Sequence, residues 1–105
     1  MKDLNNHEFQ QAIAADKNAR IIDVRTDEEV AEGIIGDALH LDIHKSQEFM
    51  DEINKLDKDG NYYLYCRAGS RSSQACQVMA HMGFKNLHNL STGFSQWDGE
   101  ISHKK

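Results

Sequence analysis

Short apolar runs alternate with amphipathic segments along the 105-residue chain. The runs IIDV (21–24) and YYLY (62–65) are β-branched or aromatic, which predicts two buried strands. NLHNL (86–90) is predicted to be a third short strand. ALHLDI (38–43) alternates apolar and polar positions, as the edge strand of a sheet does.

Two helices are indicated by capping-box patterns, in which an N-cap side chain is followed three residues later by Glu. In LNNHEFQQAIAAD (4–16), Asn5 is the predicted N-cap and Glu8 completes the box. Thr26 and Glu29 repeat the pattern at a second, shorter helix. Both segments are therefore predicted to be helices, and the second is the shorter one.

Two more helices are predicted from apolar spacing and from end signals. SQEFMDEINKL (46–56) has apolar residues at helical spacing, with Ser46 as its predicted N-cap. The last helix is predicted from about Ser72 to Met82 and ends at Gly83. Because helices and short strands alternate, the predicted fold class is α/β with a mainly parallel sheet.

Composition and charge limit the class of protein. Hydrophobic residues make up 39% of the chain and charged residues 28%, which is ordinary for a globular protein of one domain, predicted over 1–105. The net charge of −5 argues against a nucleic-acid partner. The start MKDLNNHEF lacks the apolar stretch of a signal peptide, and no run approaches membrane-spanning length. We therefore expect a cytoplasmic protein without a membrane partner.

The chemically informative segment is YCRAGSRSSQ (65–74). Cys66 follows a predicted strand and precedes a predicted helix, which is where ligands bind in parallel α/β sheets. Successive backbone N–H groups and the positive end of a helix bind anions, and a thiolate is an anion. Such a setting lowers the pKa of a thiol. Cys66 is therefore the candidate nucleophile.

The residues after Cys66 fit an anion-binding loop better than a core. Arg67 and Arg71 add positive charge and can bind an oxyanion. Gly69 permits a tight turn, and Ser72 or Ser73 can cap the helix or donate to the thiolate. A small buried core cysteine is the alternative, but its neighbours are too polar for a core. The candidate substrate-binding residues are Arg67, Ala68, Gly69, Ser70, Arg71 and Ser72.

The spacing within the loop argues against a tyrosine-phosphatase type of site. Such sites place five residues between the cysteine and its arginine, whereas four separate Cys66 from Arg71. Ser72 occupies the position where a phosphatase has Arg. The tighter loop suits a thiolate that carries one extra sulfur better than one that engages a phosphoryl group.

Three segments in order resemble the motifs of single-domain rhodaneses, a family of sulfurtransferases. They are IIDVRTDEEVAEGIIGDA (21–38), CRAGSRS (66–72) and LSTGFSQW (90–97), and the resemblance covers nearly the whole chain. The chain departs from the family at Val30, where an aromatic residue is common, and at Thr92, where Gly is usual. The resemblance implies a rhodanese-like fold, with a small, mainly parallel sheet flanked by helices on both faces.

The resemblance also implies a mechanism. The Cys66 thiolate would take a sulfane sulfur from a small anionic donor, thiosulfate or a persulfide, and pass it to cyanide, a thiol or a protein cysteine. Arg67 and Arg71 would bind the donor, and the N–H groups of residues 67–71 would stabilise the persulfide. No metal or organic cofactor is required. A partner-dependent sulfur carrier and a non-catalytic binding module stay open as alternatives.

Other residues are expected to have structural roles. Asp23 and Arg25 lie between a strand and a capped helix, and we expect them to join the two ends near the site. Cys76 is expected to be buried and inert, and Trp97 to pack in the core or to hold the C-terminal segment in place. DEEVAE (27–32) is interpreted as a solvated helix face. The six histidines show no metal-ligand spacing, so no metal site is expected.

Overall fold

The computed structural model describes residues 1–103, so the predicted domain (1–105) extends two residues beyond the described part. The strands are β1 (Lys2–Leu4), β2 (Ala19–Asp23), β3 (Ile34–Ile35), β4 (Leu39–His40), β5 (Asn61–Tyr65), β6 (Asn86–Leu90) and β7 (Ile101–Ser102). The helices are α1 (Asn6–Ala15), α2 (Asp27–Val30), α3 (Ser46–Asn54) and α4 (Ser70–His81), with a 3-10 turn at Phe94–Gln96.

Five strands form one parallel sheet in the order β1-β6-β5-β2-β4. This arrangement confirms the predicted α/β class, and β4 lies at the edge, as the alternating pattern of 38–43 predicted. The register pairs Asp23 with Tyr65 and Leu64 with Asn89. The carboxyl ends of β2, β5 and β6 therefore meet at one edge of the sheet. β3 and β7 form a separate antiparallel pair.

Helices cover both faces of the sheet, as expected. Successive strand residues point to opposite faces, so each strand contributes to two apolar clusters. One cluster joins α3 and α4 to the sheet through Ile22, Tyr62, Leu64, Phe49, Ile53, Ala75, Cys76 and Met79. The other joins α1 and the β3 segment to the opposite face through Phe9, Ile21, Ile34, Ile35, Tyr63 and Tyr65. Each face thus has its own core.

Both predicted capping boxes are confirmed. The Asn5 side chain accepts from the Glu8 N–H at 2.9 Å, and the Glu8 carboxylate accepts from the Asn5 N–H at 2.9 Å. Thr26 and Glu29 make the same reciprocal contacts at 3.1 and 3.4 Å. These bonds satisfy backbone N–H groups that a helix start leaves without partners.

Two predicted helix caps are wrong. α3 has Lys45 at its N-cap position without a side-chain cap, and Ser46 is already its first helical residue. α4 begins at Ser70, two residues earlier than predicted, and Gly69 occupies its N-cap position. Neither Ser72 nor Ser73 therefore caps it. The reason is the left-handed conformation of Gly69 (φ 94°), which lets the chain enter the helix directly from the loop.

The short strands β1, β3 and β7 were not predicted, because runs of two or three residues carry no readable period. None of the helices within residues 1–103 is long and apolar enough to cross a membrane. The cytoplasmic location expected from the sequence stays a prediction.

Candidate active site

Cys66 lies immediately beyond the carboxyl end of the central strand β5. Its carbonyl oxygen accepts from the Phe94 N–H at 2.8 Å, and the carbonyl of Tyr65 accepts from the Val24 N–H at 3.1 Å. Cys66 itself is fully buried. Backbone bonds from the neighbouring segments therefore fix the sulfur between the sheet and the start of α4, at the edge where a ligand of this fold class binds.

Hydrogen-bond donors surround the sulfur on the helix side. The Gly69 N–H lies 3.1 Å from Cys66 Sγ, and Ser72 Oγ lies 3.4 Å from it. Burial raises the pKa of Cys66, but the Ser72 hydroxyl and the N–H groups of Ser72, Ala68 and Gly69 lower it by more. The net pKa is below the usual value for a thiol. This arrangement favours the thiolate, which is the nucleophilic form of cysteine.

The turn after β6 packs against the loop formed by residues 66–72. A Cβ atom at Gly93 would collide with the carbonyl oxygen of Arg67, and one at Gly69 with the carbonyl oxygen of Ser91. Gly93 also has a left-handed backbone (φ 74°). The Ser95 N–H donates to the Arg67 carbonyl at 3.0 Å. Two glycines therefore allow the two backbones to touch, which links the segment 90–97 to the loop.

Arg71 forms an ion pair with Glu29, a residue of the segment 27–32 that was interpreted from the sequence as a solvated helix face. Its Nη1 and Nη2 donate to the Glu29 carboxylate at 2.7 and 2.9 Å. The pKa of Glu29 is lowered to about 2, mainly by the hydrogen bonds from Arg71. Hydrogen bonds from Thr26 lower this pKa further. Glu29 is therefore ionised at neutral pH and neutralises Arg71. For Glu29, the interpretation of 27–32 as a solvated face is wrong.

Arg67 differs from Arg71 in its surroundings. Arg67 is exposed, and its guanidinium makes no hydrogen bond or ion pair within residues 1–103. It borders a small cavity of about 150 Å³ beside the loop. The cavity is lined by Arg25, Glu29, Glu32, Arg67, Phe94 and Ser95. Of the two arginines, Arg67 is therefore the one whose charge is not paired with a carboxylate in the described part of the chain.

A buried polar chain leads away from Ser72. Its Oγ donates to Asn89 Oδ1 at 2.5 Å, and Asn89 Nδ2 donates to Asp3 Oδ1 at 3.0 Å. Ser72 is fully buried and Asn89 is 2% exposed. Asn89 belongs to β6, which lies next to β5, and Asp3 belongs to β1, which lies on the other side of β6. The sequence interpretation missed both residues, because only the strand pairing brings them to the loop.

Asp23 and Arg25 form a buried ion pair beside the site. Arg25 Nη2 lies 2.7 Å from Asp23 Oδ2, and the two side chains are 2% and 0% exposed. Arg25 also donates to the Gly33 carbonyl at 2.7 Å and lies 4.1 Å from the centre of the Phe94 ring. The pair therefore links the end of β2 to the β3 segment and to the turn after β6.

The remaining candidates, Cys76 and Trp97, make no hydrogen bond to Cys66 within the described residues. Cys76 is buried in the α4 face, and burial raises the pKa of its thiol to about 12. Trp97 packs edge-on against Phe9, with ring centres 5.8 Å apart. Within the described part of the chain, no group of three or more His, Cys, Asp or Glu side chains is placed to hold a metal ion.

Comparison with known proteins assigns the chain to a family. The family described as Rhodanese-like domain matches residues 5–100. The putative sulfurtransferase YtwF of Bacillus subtilis is 36% identical over 104 residues, which cover 99% of this chain and 97% of that protein. Thiosulfate sulfurtransferase GlpE of Coxiella burnetii is 36% identical over 77 residues, 73% of this chain and 69% of that protein.

A solved structure gives the same result. The crystal structure of a rhodanese-like domain protein from Staphylococcus aureus matches with a TM-score of 0.86 and 29% identity, and the match covers 100% of both chains. The sequence motifs, the parallel sheet and the cysteine loop all agree with this likeness. The chain belongs to the rhodanese-like domain family.

Proposed function

We propose that this protein is a sulfurtransferase that moves a sulfane sulfur through a persulfide on Cys66. The observation that carries the proposal is the position of Cys66 Sγ, 3.1 Å from the Gly69 N–H at the start of α4. The pKa of the Cys66 thiol lies below its usual value, because the hydrogen-bond donors around the sulfur lower it by more than burial raises it. Relatives named as sulfurtransferases support the same reaction class.

The proposed reaction has two displacement steps without net oxidation. The Cys66 thiolate attacks the outer sulfur of the donor, and the donor's S–S bond breaks. Its electron pair leaves with sulfite when the donor is thiosulfate, or with a thiolate when the donor is a persulfide. A nucleophilic acceptor such as cyanide or a thiolate then attacks the outer sulfur, and the Cys66 thiolate is released. Between the steps, the N–H groups of residues 67–71 stabilise the terminal sulfur anion.

The two arginines are proposed as donor ligands of different strength. The exposed Arg67 makes no ion pair within the described residues and meets the anionic end of the donor first. Arg71 contributes less, because Glu29 occupies both of its terminal nitrogens. The site therefore has less positive charge for a dianion such as thiosulfate than two free arginines would supply.

Replacing Glu29 with Gln is expected to lower the KM for thiosulfate about five-fold, the factor that corresponds to ~1 kcal/mol. Gln can keep the capping contact with Thr26, while the loss of the carboxylate charge releases Arg71 toward the donor. Steady-state kinetics with thiosulfate and cyanide measure the change. Glu28→Gln removes an exposed neighbouring charge and is the matched control. An unchanged or higher KM in Glu29→Gln would show that Arg71 fixes the start of α4 and does not bind the donor.

The proposed function is tested by the mass of the intact protein after exposure to a donor. The reduced protein is treated with thiosulfate or with a low-molecular-weight persulfide, and we expect an adduct of one sulfur atom that a reductant removes. Digestion should place the adduct on the peptide that contains Cys66. Cys76→Ser should gain the same adduct, since Cys76 is buried with a raised pKa.

The same experiment separates the alternatives. An adduct that small thiols and cyanide cannot remove, but a protein cysteine can, would identify a partner-dependent sulfur carrier. A folded protein that forms no adduct with either donor would contradict the proposal and leave a non-catalytic binding module. The donor that gives more adduct identifies the substrate class.

A further inference from the structure

The polar chain behind Cys66 has a defined direction of hydrogen bonding. Asn89 Nδ2 faces two oxygens, Asp3 Oδ1 at 3.0 Å and the Gly69 carbonyl at 3.3 Å. An ionised carboxylate and a carbonyl can only accept hydrogen bonds, so the NH₂ group of Asn89 must point toward them. The amide oxygen is then turned toward Ser72, which must donate to it. Asp3 and Gly69 thus fix the orientation of the Asn89 amide.

The Ser72 hydroxyl has one proton and more than one acceptor. Asn89 Oδ1 lies 2.5 Å from Ser72 Oγ, whereas Cys66 Sγ lies 3.4 Å away and the Gly69 carbonyl 3.3 Å away. The shorter distance assigns the proton to Asn89. In this orientation the Ser72 oxygen presents its lone pairs to the sulfur and can accept from a Cys66 thiol. To donate to the thiolate, the hydroxyl must first turn its proton away from Asn89.

We propose that Asn89 and Asp3 are positioning residues that control the proton of the Ser72 hydroxyl, and through it the fraction of Cys66 present as thiolate. When Cys66 ionises, the hydroxyl must turn its proton to the sulfur and leave the amide oxygen of Asn89 without a donor. Because a buried acceptor without a partner is costly, Asn89 opposes ionisation. Once Cys66 carries a second sulfur, its Sγ is neutral and the hydroxyl returns to Asn89.

Other charges near Cys66 do not replace this control. The register places Asp23 opposite Tyr65, directly before Cys66, but Arg25 neutralises Asp23. On α4, Arg71 is neutralised by Glu29. Arg67 in the loop, the exposed Glu32 that lines the cavity beside it and the exposed Asp3 behind Asn89 are charged groups outside these two pairs. Arg67 is exposed, so solvent and salt screen its effect on the thiol.

The proposal is tested by titrating the Cys66 thiol, without any sulfur donor, in a chain that carries Cys76→Ser. The pH dependence of the alkylation rate with iodoacetamide gives the pKa of Cys66. Asn89→Leu removes the competing acceptor, so we expect the pKa of Cys66 to fall by about one unit. Ser72→Ala removes the donor and should raise it by a similar amount.

A combination of variants distinguishes proton control from a structural effect. In the Ser72→Ala background, Asn89→Leu should have no effect on the pKa of Cys66, because no hydroxyl proton remains to be redirected. Asp3→Asn, at an exposed position, relaxes the amide orientation and should lower the pKa less than Asn89→Leu does. This surface variant keeps the test available if the buried variant fails to fold.

Two results would overturn the inference. The first is an unchanged or raised pKa of Cys66 in Asn89→Leu, or in Asp3→Asn if Asn89→Leu does not fold. The second is that Asn89→Leu lowers the pKa of Cys66 equally in the Ser72→Ala background. The inference deepens the proposed function, yet the titration involves no sulfur transfer. If the pKa shifts occur and the mass experiment finds no adduct, then the proton control stands and the proposed function fails. If the adduct forms on Cys66 but the pKa shifts do not occur, the proton control is rejected and the proposed function stands.

Discussion

Replacing Cys66 with Ser is expected to reduce sulfur transfer about 10³-fold or more, the scale seen when a covalent nucleophile is removed. A serine hydroxyl stays protonated at neutral pH and cannot carry a sulfane sulfur through two displacement steps. The fold should survive, since the serine oxygen can still accept from the Gly69 N–H. A single small substitution of this kind should change Tm by a few degrees only. Steady-state transfer from thiosulfate to cyanide and a thermal melt are the two measurements.

Cys76→Ser is the matched control for the loss of a thiol. Both cysteines are fully buried, but burial raises the pKa of Cys76 to about 12, whereas that of Cys66 is lowered by its donors. We therefore expect Cys76→Ser to retain the transfer rate, with some loss of stability in the α4 core. Transfer that persists in Cys66→Ser and disappears in folded Cys76→Ser would reject the assignment of the nucleophile.

The parts of the fold that could be predicted from the sequence are those with local signals. The apolar runs at β2 and β5 read as buried strands, because both faces of these strands are covered. The two capping boxes were readable since their contacts span only three residues. The location of Cys66 followed from a strand directly before it and a helix directly after it, and the family motifs supported the same placement.

The missed parts of the site depend on contacts between distant segments. Glu29 reaches Arg71 across 42 residues, and Asp3 reaches Asn89 across 86. Both contacts exist because parallel strands bring their carboxyl ends to one edge of the sheet, and the pairing order decides which loops meet there. A signal for Glu29 was present, since a capping-box glutamate directly after β2 must lie near this edge. Asp3 had none, because its strand is three residues long.

Replacing Asp23 with Ala is expected to destabilise the fold by ~3–5 kcal/mol, a large part of the 5–15 kcal/mol typical of a domain. The carboxylate accepts from Arg25 Nε at 3.0 Å, from Nη2 at 2.7 Å and from the Arg25 N–H at 3.0 Å. Burial lowers the pKa of Arg25, but the hydrogen bond to Asp23 and the charge of Asp23 hold the pKa of Arg25 above its usual value. Without Asp23, a charged guanidinium would stay 2% exposed, with the Gly33 carbonyl but no carboxylate as an acceptor among the described residues.

Urea denaturation monitored by circular dichroism measures the loss of stability as a lower midpoint at unchanged slope. Asp59→Ala is the control, because it removes a surface carboxylate that pairs with Lys85 while both side chains are more than 70% exposed, and such pairs contribute little. The double variant Asp23→Ala with Arg25→Met should regain part of the stability, since no buried charge is left without a partner. A double variant less stable than Asp23→Ala alone would show that the contacts of Arg25 with Phe94 and Gly33, and not the ion pair, stabilise this edge of the sheet.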